Sequence, residues 1–273
     1  MKVVLFCGGM GLRMGEHSRL IPKPLVPVGS QPILWHIMKY YAHFGHTEFI
    51  ICLGHQADAI KGFFLNYNEA LVNDFVLSDG GSRVELMSRD FVDWRITFVD
   101  TGLQSSVGER LRRVRPYLEG DDYFLAHYAD TVTDAPLPVL IDELVESGKV
   151  GNFLCVRPVN YSFHTVDIDA AQQVSAIRDV RAAELWINGG FFVFRSDIFE
   201  VMEPGEELVN EPFQRLIKRG DLLAHRYEGF WAPMDTLKDK QRLESLAEAG
   251  TRPWAVWEAN GGRNAGTPTE VAG

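Results

Sequence analysis

The chain has 273 residues, 46% hydrophobic and 23% charged, with a formal net charge of −10. That length and balance fit a soluble globular protein with a substantial core, built as one large domain or one domain with an insertion. The acidic excess argues against general affinity for nucleic acid, so any phosphate site has to be locally basic.

Residues 3–7 read as a buried strand, and Gly8-Gly9-Met10-Gly11-Leu12-Arg13 follows at once. Glycines after a strand let backbone N–H groups come close to a phosphate. Arg13 and, ten residues on, Lys23 in Pro22-Lys23-Pro24 supply the charge a polyphosphate needs. The turn departs from a dinucleotide fingerprint at Met14 and from a Walker-type loop at Met14-Gly15-Glu16. It reads as a nucleoside triphosphate site.

Residues 33–44 have helical spacing, with Ile33, Leu34, Ile37, Met38 and Tyr41 on one side. A strand is predicted at 48–53, a helix at 56–67, a strand at 94–99, a helix at 109–117 and a strand at 123–128, with a helix at 138–147. This alternation predicts a doubly wound, mostly parallel, Rossmann-like α/β sheet, with ligands bound beyond the carboxyl ends of its strands. Residues 74–93 break the pattern and read as an insertion loop or a hairpin reaching a neighbouring subunit. Strand-like runs at 152–156, 165–168, 190–195 and 224–227 are expected to extend the sheet and build an acceptor-binding lobe. The expected organisation is one domain over 1–258, with a nucleotide half to about 150 and an acceptor half beyond it. Residues 259–273 read as a disordered tail.

The three cysteines, Cys7, Cys52 and Cys155, lie in apolar runs without paired spacing, which predicts buried thiols and neither disulfides nor zinc. No signal peptide or long apolar span is visible, so a cytoplasmic protein with no membrane partner is expected. The eight histidines show no metal spacing. His36 reads as structural, and strand alternation can turn His127 away from Asp130. Arg112 and Arg115 read as a solvated helix face.

Taken in order, Gly8-Gly9-x-Gly11-x-Arg13, Pro22-Lys23-Pro24-Leu25, the run from Gln31 to Lys39, Asp100-Thr101-Gly102, Gly108-Glu109-Arg110, Trp186-Ile187-Asn188-Gly189-Gly190 and Gly229-Phe230-Trp231-x-Pro233-Met234-Asp235-Thr236 resemble the sugar-1-phosphate nucleotidylyltransferases. Within them the chain looks most like the glucose-1-phosphate cytidylyltransferases, from Met1 to about Trp257. The resemblance implies transfer of a nucleotidyl group, CMP from CTP above all, to a sugar 1-phosphate with release of pyrophosphate. Arg13 and Lys23 would act on the phosphates, Gly8, Gly9 and Gly11 would offer backbone donors, and Asp130 and Asp235 would hold magnesium. Thr101, Gly108 and Arg110 would lie near base and ribose, and Asn188 and Gly189 near the acceptor. A homo-oligomer is expected.

Three departures keep alternatives open. The family's threonine-glycine-glycine-arginine is Val107-Gly108-Glu109-Arg110 here, which leaves CTP against UTP or dTTP unsettled. Its arginine-phenylalanine-glycine is Ser162-Phe163-His164, and its acceptor-phosphate lysine falls at Val180. Arg178 or Arg181 is then expected to supply that cation, with His164 reshaping the pocket. Besides a sugar phosphate, another phosphate or a phosphonate acceptor fits, and a weakly active regulatory protein is the third reading.

Overall fold

The computed structural model describes residues 1–9, 21–89, 91, 93–158, 164–180 and 184–258. Strand β1 (Val3–Phe6) runs into the glycine turn. A 3-10 turn at Lys23–Leu25 leads through the short strands β2 (Pro27–Val28) and β3 (Gln31–Pro32) into helix α1 (Ile33–His43). Then come β4 (Glu48–Leu53), α2 (Ala57–Leu65), β5 (Phe75–Ser78), β6 (Arg83–Leu86), β7 (Arg95–Asp100) and α3 (Val107–Val114). They are followed by β8 (Tyr123–His127), β9 (Thr131–Thr133), α4 (Leu137–Ser147), β10 (Gly151–Val156), β11 (His164–Ile168) and β12 (Val174–Asp179). The last elements are β13 (Ile187–Arg195), α5 (Glu211–Arg219), β14 (Leu222–Tyr227), β15 (Trp231–Pro233) and α6 (Leu237–Glu248).

The main sheet has seven strands in the order β14-β10-β13-β8-β1-β4-β7. All run the same way except β13, which lies antiparallel between β10 and β8. Strand alternation sorts β1 into two layers. Val3 and Leu5 face a core shared with α1, α4 and Leu243 of α6, whereas Val4 and Phe6 face Leu111, Val114, Phe213 and Leu216 of α3 and α5. The three cysteines are free and buried. Among the described residues no helix is long and apolar enough to cross a membrane.

Of the two alternatives for residues 74–93 the hairpin is the one seen, and one other expectation needs correcting. Residues 74–93 contain a hairpin, β5 on β6, closed by a turn in which Asp79, Gly80 and Gly81 have positive φ. Its strands escape the alternation test because neither face is buried by this chain: Phe75, Val76, Leu77 and Val84 are all exposed. The strand near 165–168 does not extend the main sheet. It pairs with β12 in a separate, mostly exposed two-stranded hairpin. Helices α5 and α6 were readable from Pro212 in the first turn of α5 and from the capping box of Thr236 and Asp239, and the alternation argument passed them over.

Two histidines lie in the first core layer as neutral rings. His36 Nε2 donates to the Val28 carbonyl at 2.9 Å, and its Nδ1 accepts from the Trp254 indole at 3.3 Å. His127 Nδ1 accepts from the Ala129 amide at 2.8 Å, and its Nε2 faces Thr131 Oγ1 at 3.1 Å. Protonating either Nδ1 would set two donors against each other. Burial accordingly pushes His36 down to about 4 and His127 down to about 3. Both folded values lie below the unfolded value, so the unfolded chain takes up protons first. Stability is complete above about pH 6.5 and is lost as pH falls toward the folded values, by about 2 kcal/mol per histidine between pH 7 and 5. Urea unfolding of His36→Gln across that range is expected to give a shallower loss with falling pH than the parent chain. Parallel curves would mean that His36 is not titrating.

Candidate active site

At the carboxyl end of β8 the chain turns through Ala129, whose φ of 61° is in the left-handed region. That conformation is uncommon for a residue with a Cβ. The hydrogen bond from its amide to His127 Nδ1 holds it and brings Asp130 to the sheet edge. β15 lies antiparallel on β9 with Pro233 opposite Thr131, and the Met234 amide donates to the Asp130 carbonyl at 2.8 Å. This register sets Asp235 beside Asp130. Immediately after it, Thr236 caps α6 by accepting from the Asp239 amide.

Lys23 closes the group. Its 3-10 turn is fixed by flanking prolines, and Pro24 is buried. Lys23 Nζ donates to Asp130 Oδ2 at 2.7 Å and to Asp235 Oδ1 at 2.6 Å, with its side chain only 12% exposed. Burial alone would lower the lysine pKa, but the two carboxylates together outweigh it and hold the ammonium above its ordinary value. Two carboxylates converging on one atom are a hard-oxygen pair suited to a divalent cation. Among the described residues no three metal-ligating side chains gather, so such a cation would take its other oxygens from ligand and water.

On the nucleotide side, Gly9 is exposed, and a Cβ there would meet nothing within 4 Å. Gly8 is different: a Cβ would fall 2.0 Å from Arg110 Nη1. The Arg110 guanidinium is buried beneath the turn. Nη1 donates to the Leu53 and Gly102 carbonyls and to Thr101 Oγ1, and Nη2 donates to the Gly8 and Leu103 carbonyls. Thr101 is buried and donates to the Leu53 carbonyl at 2.7 Å. Gly108 packs against the backbone of Glu206 and Leu208. The polar atoms of Arg110 and Thr101 brace the loops around the turn, and the expected nearness of Thr101, Gly108 and Arg110 to base and ribose still rests on the resemblance. Gly11 and Arg13 lie outside the described residues.

On the acceptor side, Asn188 donates to Tyr128 Oη at 3.1 Å and accepts from the Gly190 amide at 2.9 Å. The Gly189 carbonyl accepts from the Trp231 indole at 2.8 Å, and a Cβ on Gly189 would press on the Leu154 carbonyl. Arg178 is not a free clamp. It stands on the exposed β11–β12 hairpin, 54% exposed, and its guanidinium pairs with Asp167 at 2.5 Å. His164 begins the same hairpin, opposite Asp179, and is exposed. Arg181 lies outside the described residues.

The chain is 38% identical over 259 residues to the glucose-1-phosphate cytidylyltransferase of Salmonella typhi, covering 94% of this chain and 100% of that one. The chain belongs to the sugar-1-phosphate nucleotidylyltransferases. A Bacillus subtilis protein described as a probable glucose-1-phosphate cytidylyltransferase is 34% identical, with the same coverage. No family profile matches the chain. Among solved structures, a UDP-glucose pyrophosphorylase bound to UDP-glucose superposes with a TM-score of 0.66 at 14% identity, over 91% of this chain and 98% of that one. HddC from Yersinia pseudotuberculosis gives 0.63 at 19%, over 90% and 99%. These likenesses show the nucleotidyltransferase-type α/β fold.

In this nucleotidylyltransferase the Arg110 brace carries a direct expectation. Arg110→Met would take their arginine donor from the Gly102 and Leu103 carbonyls and one donor each from the Leu53 and Gly8 carbonyls, which keep Thr101 and His55. It is expected to cost about 3 kcal/mol of stability and to raise the nucleotide KM as the glycine turn loosens. Denaturant unfolding and steady-state kinetics check both. A stable variant with unchanged KM would remove the bracing role.

A cluster on the acceptor flank was not singled out from the sequence. Arg157 follows β10, Arg226 lies near the end of β14, and Trp186 immediately precedes β13. Only the pairing of β10 with β13 and β14 brings the three together, so no local signal joins them.

Proposed function

We propose that this nucleotidylyltransferase transfers CMP from CTP to a sugar 1-phosphate, with glucose 1-phosphate as the reference acceptor, and releases pyrophosphate with magnesium as cofactor. The observation that carries this reading is the Lys23 ammonium held between Asp130 and Asp235 at the carboxyl edge of the sheet.

An acceptor phosphate oxygen forms the new bond to the α-phosphorus, and the bond to the β-phosphate oxygen breaks with its electron pair leaving on pyrophosphate. A phosphate monoester, with a second pKa of about 6, needs no protein base to become a nucleophile at neutral pH. The task for the protein is alignment and charge neutralisation. Asp130 and Asp235 would hold the magnesium ion, which when bound supplies positive charge to the phosphate oxygens. Lys23 would face the α-phosphoryl group, where negative charge grows toward the transition state. Arg13 is assigned to the β- and γ-phosphates from the motif. Arg110 and Thr101 keep the glycine turn in place.

The glutamate in Val107-Gly108-Glu109-Arg110 keeps UTP and dTTP as competing nucleotides, and another phosphate or a phosphonate remains the alternative acceptor. Pyrophosphate release should be measured with four nucleotides against a panel of sugar phosphates, with and without a chelator. Metal-dependent release is expected, highest with CTP. No release from any pair would favour a regulatory nucleotide-binding protein. A cytoplasmic homo-oligomer is part of the same proposal. Its support is the row of exposed apolar residues on the β5–β6 hairpin, Phe75, Val76, Leu77 and Val84, which a second copy would cover. Light scattering that gives a monomer would remove that part alone.

A further inference from the structure

At the carboxyl edge of β10 and β14 two adjoining cavities, of about 360 and about 330 Å³, share Arg157 and Glu228. The first reaches Trp231, whose indole is bonded to Gly189, and the second is lined by Trp186, Arg226 and Glu184. The Arg157 and Arg226 guanidinium carbons lie 5.2 and 5.3 Å from the centre of the same Trp186 ring. Stacking on an indole orients a guanidinium while leaving its N–H edge free to bind an oxyanion.

Two cations sharing one ring repel each other, and an anion between them would relieve that repulsion. The acids nearby do not fill this role. Glu228 approaches Arg157 at 3.3 Å but is itself 69% exposed, and pairs of that kind are weak. Arg157 Nε is buried with no hydrogen-bond partner. Arg226 has no ion-pair partner among the described residues, and Glu184 lines the cavity without pairing to it. The charged ends of two arginines that line the same pair of cavities are thus left with little compensation from the protein.

The position in the sheet says which anion. Asp130 follows β8, and β13 lies between β8 and β10, so about 10 Å of sheet separates the carboxylate pair from the end of β10. A phosphate held against Lys23 and an anion held by Arg157 would therefore be anchored from strands two places apart. The separation suits one sugar ring with a substituent on its far side.

We propose that Arg157 and Arg226, stacked on Trp186, form a second anion subsite, and that the preferred acceptor is a sugar 1-phosphate carrying a further oxyanion, carboxylate or phosphate, away from the reacting group. The proposal rests on the nucleotidyl-transfer reading above. Substitution at this corner sets acceptor choice and leaves the phosphoryl chemistry alone.

The test compares glucose 1-phosphate, glucuronic acid 1-phosphate and glucose 1,6-bisphosphate as acceptors with saturating CTP. The carboxylate arm and the phosphate arm separate the two sources of charge. At least one doubly anionic acceptor is expected to exceed glucose 1-phosphate in kcat/KM by about tenfold or more, the scale set by a buried charged donor left unmatched. Arg157→Gln and Arg226→Gln should each remove most of that advantage through KM, with glucose 1-phosphate turnover within about twofold of the parent. Equal use of all three acceptors, or loss of glucose 1-phosphate turnover in step with the others, would overturn the subsite. Calorimetric titration of the same three compounds reads it without turnover. If no pyrophosphate is released with any acceptor, the parent reading fails. The subsite then stands or falls on whether the doubly anionic compounds bind more tightly and lose that margin in Arg226→Gln. Trp186→Phe, which keeps an aromatic face, guards against a misfolded arginine variant and should keep part of the preference.

Discussion

Lys23→Ala is expected to lower kcat by about 10²–10³, as the loss of one preorganised transition-state donor does, with a much smaller change in the nucleotide KM. The expectation follows from where the ammonium is held. Its two carboxylate contacts, at 2.6 and 2.7 Å, fix it at the sheet edge before any ligand arrives. The prolines on either side fix the backbone that carries it. A donor placed in advance costs no reorganisation when charge builds on the α-phosphorus. A second effect follows from removing it: Asp130 and Asp235 would then face each other without the ammonium that competes for them, so the variant should need no more magnesium than the parent for half-maximal rate, and its low kcat should persist at saturating magnesium. Steady-state kinetics at several magnesium concentrations separates the outcomes. A rise in nucleotide KM alone would make Lys23 a binding residue.

Asp130→Asn and Asp235→Asn are each expected to abolish most turnover while the fold survives. Each amide keeps the size of the side chain and leaves Lys23 one carboxylate partner, so the ammonium is not stranded in its part-buried position. What is lost is one charged oxygen ligand, and magnesium binding should weaken accordingly. Activity should recover in part at high magnesium if the carboxylate acts through the metal. Near-normal rates at low magnesium in either variant would take that residue out of the site.

The fold was legible wherever a strand or helix buried a face. The run 48–53 was read to the residue because Phe49 to Leu53 are all buried, and 33–44 because its apolar positions repeat at helical spacing. Legibility failed where burial did not impose a pattern. Phe75 to Leu77 and Val174 to Ile177 lie in surface hairpins, so their apolar residues carry no period that points to a core. For the candidate site, Lys23 and Asp235 sit in recognisable motifs and Asp130 follows a readable strand, and the structure brings the three together. The bracing role of Arg110 has no local signal. Sequence gives the presence of a cation but not which carbonyls curl around it. The partner of Arg178, Asp167, comes from the neighbouring strand and is equally hidden from a local reading. Arg157 and Arg226 could not have been joined without the sheet register.

The Arg110 guanidinium passes through space left by missing side chains. A Cβ on Gly8 would fall inside it, and one on Gly54 would stand 2.8 Å from the same nitrogen. The two glycines and the arginine therefore pack as one unit drawn from three separate segments of chain, with the Gly8 carbonyl also standing 2.7 Å from a Cβ on Gly54. A library that varies the glycine turn alone would score Gly8 as intolerant and suggest that a ligand needs the room. The same library built on a smaller residue at position 110 should accept alanine at Gly8, because the occupant that forbids it is the protein's own arginine.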